Sequence, residues 1–140
     1  MLTYVDTSTL LKLIVDEDGS DRADVIWRSA DTVASVALVV VEARAALAAA
    51  ARGGRLTSRQ QAAAKAELSA LVADLFIVEP TEELIAQAAE LAELEGLRGY
   101  DAIHLAAALT IGAAVLTSAD TALCDAAARR GLHVANPTTS

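Results

Sequence analysis

The sequence predicts an α/β domain in which a mostly parallel sheet is flanked by helices. Two observations carry that expectation. Short runs of Val, Ile, Leu and Tyr alternate with longer segments of helical periodicity, the pattern of strands joined by crossover helices. Hydrophobic residues make up 54% of the 140 residues but aromatics only 3%, and much of the remainder is alanine, which favours helices and lets them pack closely. The length suits a single domain spanning residues 1–140, and no linker or internal repeat divides it.

Leu2–Val5 reads as a first, buried strand, and Thr7 or Ser8 as the N-cap of a helix from Ser8 to Val15 with Leu10, Leu11, Leu13 and Ile14 at helical spacing. Asp16-Glu17-Asp18-Gly19 is a polar turn, and a second helix, Asp21–Ser29, places Trp27 in the core or an interface. Thr32–Ala34 is the second strand; Ser35 can cap a helix over Val36–Arg52 that Gly53-Gly54 ends. Thr57 or Ser58 opens a helix to Asp74, Phe76–Val78 is the third strand, and Pro80 stops it. Thr81 opens an amphipathic helix to Glu95, with Gly96 just past its end. After the link Leu97–Tyr100, Asp101 starts a helix to Thr110. Ala113–Thr117 is the fourth strand, Asp120–Arg130 a helix, Leu132–Val134 the fifth strand and Asn136–Ser140 a frayed tail.

The formal net charge of −8 argues against a generic phosphate-binding surface, since nonspecific nucleic-acid affinity comes from Lys and Arg. It leaves room for a nucleic-acid enzyme whose divalent ions supply the positive charge. Cys124 is the only cysteine, which excludes an intrachain disulfide and a Cys-based zinc site and fits a reducing, cytoplasmic setting. The opening residues lack a basic segment followed by a long apolar stretch, so no signal peptide is expected. Glu42 with Arg44, and Asp101 with His104, break the longest apolar runs, so no membrane span is expected.

Four acids stand in unusual settings. Asp6 closes the first strand, at the carboxyl end where open α/β sheets bind ligands, although a plain N-cap also accounts for it. Glu42 lies in a helix apolar on almost every side, where a lone carboxylate is costly, and Arg44 two positions on does not face it. Asp101 at a helix start is also favoured by the helix dipole. Asp120, just past a strand, repeats the position of Asp6. Two unit charges about 4 Å apart repel by about 4 kcal/mol at an effective dielectric near 20. Four converging carboxylates therefore require a cation, and all-oxygen ligands suit Mg²⁺ or Mn²⁺ rather than Zn²⁺. The reaction class that follows is metal-dependent phosphodiester hydrolysis.

These residues together resemble the PIN-domain proteins, in particular the VapC-type toxin ribonucleases of toxin–antitoxin pairs. The resembling segments are Tyr4-Val5-Asp6-Thr7-Ser8, the mid-helix Glu42, Tyr100-Asp101-Ala102-Ile103-His104-Leu105-Ala106, Leu116-Thr117-Ser118-Ala119-Asp120 and the closing Ala126–Val134 stretch. The resemblance implies a five-stranded sheet of order 3-2-1-4-5, with metal ligation and catalysis at Asp6, Glu42, Asp101 and Asp120. It also implies a supporting hydroxyl near the last acid, which Ser118 matches; Thr7 is a second hydroxyl beside the first acid. Where many relatives carry a further acid after the last one, this chain has Thr121, a departure that bears on a second metal and not on the first. The implied activity is cleavage of RNA, often tRNA or rRNA; attack by a metal-activated water predicts 5′-phosphate and 3′-hydroxyl ends. The implied partners are a small antitoxin and a second copy of the chain.

Arg98 and Lys12 are candidate phosphate contacts, Arg98 the stronger because it precedes the Asp101 helix; a plain surface or ion-pair role is the simpler account of each. His104 reads as a satisfied core residue, and His133 carries no functional expectation. Two rival readings remain. A phosphoaspartate phosphatase or receiver-type protein would use Asp6 as nucleophile, but the phosphatase pattern wants a second Asp where Ser8 stands. A non-catalytic module of the same fold would bind RNA or protein without chemistry.

Overall fold

The computed structural model describes residues 1–139. Ser140, the last residue of the expected tail, lies outside them. The elements run β1 (Leu2–Val5), α1 (Thr7–Lys12), α2 (Ser20–Ser29), β2 (Thr32–Val36), α3 (Val39–Arg52), α4 (Ser58–Ala73), β3 (Phe76–Val78), α5 (Glu82–Glu95), α6 (Gly99–Thr110), β4 (Val115–Thr117), α7 (Thr121–Arg129) and β5 (His133–Ala135). All four strand pairings are parallel and the sheet order is β3-β2-β1-β4-β5, as the resemblance implies.

Side chains alternate across the pleat, so each strand feeds two cores. Tyr4, Ala34, Val36 and Leu116 face a core built with α5, α6 and α7; Val5 and Val33 face another built with α1, α3 and α4. Alanines supply much of both helix layers: Ala88, Ala102, Ala106 and Ala107 on one side, Ala43 and Ala64 on the other. Trp27 packs partly buried against the second core. The chain reverses its direction of travel across the sheet between β1 and β4, and the crevice at that switch lies at their carboxyl ends. Register puts Val5 opposite Thr117, and the next residue, Asp6, donates its backbone N–H to Thr117 O at 3.1 Å.

Several boundaries differ from the sequence expectation. Ser35 does not cap α3. Strand β2 continues through Val36, which pairs with Val78, and the Ser35 hydroxyl crosses to donate to Val5 O at 2.7 Å. The following helix therefore starts at Val39, with no side-chain cap. Helix α1 ends at Lys12, short of Val15, and α6 starts at Gly99, before Asp101. Thr57 with Gln60 forms a full capping box on α4, and Gly96, in the left-handed region at φ 65°, ends α5. The tail is anchored at least as far as Pro137, which is buried. Its carbonyl oxygen would lie 2.9 Å from a Cβ at Gly19, whose φ of 90° starts α2; glycine is demanded there on both counts.

Candidate active site

Each strand end at the β1/β4 switch delivers one acid, and each acid caps the helix that follows. Asp6 caps α1, its Oδ1 accepting from Thr9 N at 3.1 Å; Asp120 caps α7, accepting from Leu123 N at 2.9 Å. Thr7 is thus the first residue of α1 and not its cap, because the carboxylate of Asp6, one residue earlier, already satisfies the free N–H. Asp6 is only 4% exposed, and its other bonds come from hydroxyls: Ser8 Oγ to Oδ1 at 2.7 Å and Ser118 Oγ to Oδ2 at 2.5 Å. Ser118 Oγ also accepts Asp120 N at 2.9 Å, and Ser8 Oγ accepts Ala119 N at 2.9 Å. The two serines lace the end of β1 to the β4–α7 turn.

Glu42 reaches the same rim from the first turn of α3. Its Oε1 accepts from Thr7 Oγ1 at 2.8 Å and lies 2.8 Å from His104 Nε2. Behind it, His104 Nδ1 lies 2.7 Å from Tyr4 Oη, which accepts Val36 N at 3.2 Å. Burial opposes charge on Glu42, but the bonds from His104 and Thr7, with the nearby Arg98 cation, outweigh it and hold the carboxyl below its usual range. Tyr4, wholly buried, is pushed far up and stays protonated.

On α6, Asp101 is raised above its usual range, first by burial and then by the charge of Asp120, which Arg98 only partly offsets. Arg98 spans the pair, its Nε donating to Asp101 Oδ2 at 3.2 Å and a terminal nitrogen to Asp120 Oδ2 at 3.0 Å. Its side chain is 80% exposed. A cavity of about 630 Å³ opens beside this rim, lined by Glu42, Arg98 and Asp101 together with Leu38, Gly99, Tyr100 and Ile103; Asp6 and Asp120 lie outside its lining.

The structure therefore links all four acids: Asp6 to Asp120 through Ser118, Asp120 to Asp101 through Arg98, and Glu42 to the end of β1 through Thr7. It does not close them into a cage. Among the described residues no three His, Cys, Asp or Glu side chains stand close enough to hold one ion as placed, and the guanidinium of Arg98 lies between the two outer acids. Lys12 is not brought to the rim. It pairs with Glu17 at 3.1 Å and lines a groove with residues of the α1–α2 turn.

A family model described as PIN domain matches residues 3–129, a span that includes every one of these side chains. The chain belongs to the PIN-domain family. Ribonuclease VapC45 of Mycobacterium tuberculosis is 41% identical over 111 residues, covering 79% of this chain and 77% of the relative, which marks the present PIN domain as VapC-type. Among solved structures, PAE2754 from Pyrobaculum aerophilum aligns with a TM-score of 0.73 at 25% identity, covering 96% of this chain and 83% of that one. A toxin–antitoxin complex from Klebsiella pneumoniae contains a chain that aligns at 0.70 and 18% identity, covering 96% and 97%, a likeness of fold.

Sequence reasoning passed over three polar residues of this PIN-domain rim. His104 is buried and satisfied, as a core histidine should be, yet one of its partners is Glu42. Tyr4 was visible only as an apolar strand residue, and Ser8 only as a cap. The signal for His104 was its place three residues after Asp101 on one helix, close to a single turn.

Proposed function

We propose that the chain is a Mg²⁺- or Mn²⁺-dependent endoribonuclease, the toxin of a type II toxin–antitoxin pair, acting on tRNA or rRNA. The observation that carries the reading is the convergence of Asp6, Glu42, Asp101 and Asp120 on one strand-end rim in a chain 41% identical to a relative named a ribonuclease. The donor set fits a hard divalent ion: every group is a carboxylate oxygen, and Arg98 shows that two of them already attract a cation. Those four residues would hold the ion. When bound, such an ion supplies Lewis acidity toward a phosphate oxygen and makes a water more acidic. Ser118 and Ser8 fix the rotamer of Asp6, and His104 with Thr7 favours the charged form of Glu42 against its burial. Arg98, exposed at the mouth, is the side chain that would meet a substrate phosphate.

Burial of Asp6 behind three donors speaks against its use as a phosphoryl acceptor. For the antitoxin, a groove of about 480 Å³ between α1 and α3, with an apolar floor of Leu11, Val15, Leu47 and Leu56 and with Asp16, Glu17 and Arg55 also in its lining, suits an amphipathic helix with charged edges. A basic tail could then set an Arg among the four acids. Deleting that tail should restore nuclease activity, and persistent inhibition would count against the idea. Homodimerisation and a cytoplasmic location belong to the same proposal. Among the described residues no helix is long and apolar enough to cross a membrane.

The deciding assay incubates total RNA with the protein, with and without Mn²⁺, and compares wild type with Asp6→Asn. Because Asn also caps helices and keeps one acceptor oxygen, this variant should fold with some loss of stability, which circular dichroism checks. Expected are metal-dependent cleavage to 5′-phosphate and 3′-hydroxyl ends and a loss on the order of a hundredfold or more in the variant. Ends carrying 2′,3′-cyclic phosphate, or undiminished cleavage by Asp6→Asn, would overturn the reading.

A further inference from the structure

We infer that Tyr4 and His104 form a buried positioning relay that fixes Glu42 for its ligand. The inference rests on the proposed role of Glu42 as a metal ligand, but its geometry stands independently. Tyr4, Val36 and His104 are essentially inaccessible to solvent, so every polar atom in the chain must find its partner there. Glu42 Oε1 can only accept, which places the ring proton of His104 on Nε2; the Tyr4 oxygen accepts Val36 N–H at 3.2 Å and gives its own proton to His104 Nδ1 at 2.7 Å. Nδ1 is then an acceptor. The ring proton sits on Nε2 and points at Glu42 Oε1, 2.8 Å away. The rings meet edge to face, with centroids 5.7 Å apart and planes at 70°, so the tyrosine also blocks rotation of the imidazole.

The consequence falls on one atom. Thr7 Oγ1 and His104 Nε2 both address Oε1 of Glu42, while Oε2 has no bond among the described residues. One carboxylate oxygen is pinned and the other is left for an incoming ligand. Elements far apart in the chain combine to do this: β1 supplies Tyr4, α1 supplies Thr7, α3 supplies Glu42 and α6 supplies His104. The backbone of β2 closes the far end through Val36. His104 touches neither substrate nor ion in this scheme. It acts by holding a side chain that does, and an outer hydrogen-bond partner of this kind typically governs about tenfold or more in metal affinity.

The test uses the whole chain and Mn²⁺ alone as probe. Long-range ¹H–¹⁵N correlation spectra of the metal-free protein report which imidazole nitrogen of His104 carries the proton. Expected is the Nε2–H form in wild type, kept by the Glu42 acceptor in Tyr4→Phe, with the Nδ1 resonance of that variant moved by loss of its phenol donor. Calorimetric titration should show Mn²⁺ binding weakened about tenfold in His104→Ala. Tyr4→Phe should lose about twofold to tenfold, the net worth of one hydrogen bond. His104→Gln, whose amide can reach the same oxygen, should recover part of the loss. In a Glu42→Gln background, His104→Ala should add nothing, because the two act through one group. An Nδ1–H ring or a doubly protonated ring in wild type overturns the relay. So does wild-type Mn²⁺ affinity in a folded His104→Ala while Glu42→Gln is impaired, an outcome that leaves the metal reading intact. The converse is equally distinct: no Mn²⁺ binding by wild type, with the Nε2–H tautomer and the moved Nδ1 resonance in Tyr4→Phe, refutes the metal reading and upholds the alignment of Glu42.

Discussion

The inner and outer acids of the rim are held by different physics. Asp6 and Glu42 are gripped by shielded hydrogen bonds: from Ser8, Ser118 and Thr9 N for one, from Thr7 and His104 for the other. Asp101 and Asp120 share one guanidinium that stands mostly in water. Burial raises the cost of charge on both Glu42 and Asp101, yet their carboxyl pKa values move in opposite directions. Close, shielded hydrogen bonds overcome desolvation at Glu42. At Asp101 a solvent-screened arginine does not overcome burial plus the neighbouring Asp120. The inner pair is fixed before any ligand arrives, and the outer pair can exchange its counter-charge.

Breaking the inner grip should have the largest effect on stability. Ser118→Ala removes a donor from buried Asp6 and leaves Asp120 N without its acceptor, so it should cost about 1–3 kcal/mol in urea unfolding. An unchanged midpoint would mean that the serine bonds are not what holds the two strand ends together.

A pH series sharpens the contrast between Glu42 and Asp101 and should show a smaller effect. In the folded chain Glu42 lies below its ordinary 4.5, so its contribution is present above that value and lost as pH falls through the lower folded one. Asp101 lies above its ordinary 3.8, so its contribution is present below that value and lost as pH rises through the higher folded one. In metal-free buffer, Asp101→Asn should therefore gain stability over wild type at about pH 7 relative to about pH 3, and Glu42→Gln should lose it over the same interval. Parallel trends in the two variants would remove the distinction.

The smallest effect belongs to Arg98→Ala. Unfolding should be unchanged within error, since an exposed ion pair contributes little. Mn²⁺ should bind on the order of twofold to fivefold more tightly once the competing cation is gone, while RNA cleavage falls. Weaker Mn²⁺ binding would mean that Arg98 assembles the outer acids instead of competing for them.

Much of this was legible in the sequence, for local reasons. The five strand segments announce themselves by β-branched runs, and Gly96 and Thr57 punctuate helices where their chemistry requires. The sheet order came from likeness to a family, since no local signal says that β4 lies beside β1. Ser35 misled because a hydroxyl before a helical stretch looks like a cap; only the neighbouring strand reveals that it bonds Val5 O. Tyr4 and His104 were illegible as partners because their bond joins residues 100 positions apart, and an apolar strand pattern hides a phenol that is there for its oxygen. Arg98 as a bridge between two acids was equally out of reach, since its partners lie three and 22 residues away.

The double duty of Asp6 and Asp120 has an evolutionary consequence. Each starts a helix, and Asn, Ser or Thr starts one nearly as well. Selection for shape alone would accept any of those at Asp120, whereas the buried carboxylate of Asp6 also answers the hydroxyls of Ser8 and Ser118. A lineage released from chemistry could therefore mutate Asp120 and retain the same outline, while Asp6 stays under structural pressure. Sterile descendants of that kind would be recognisable by the letter at position 120 and not by their contours.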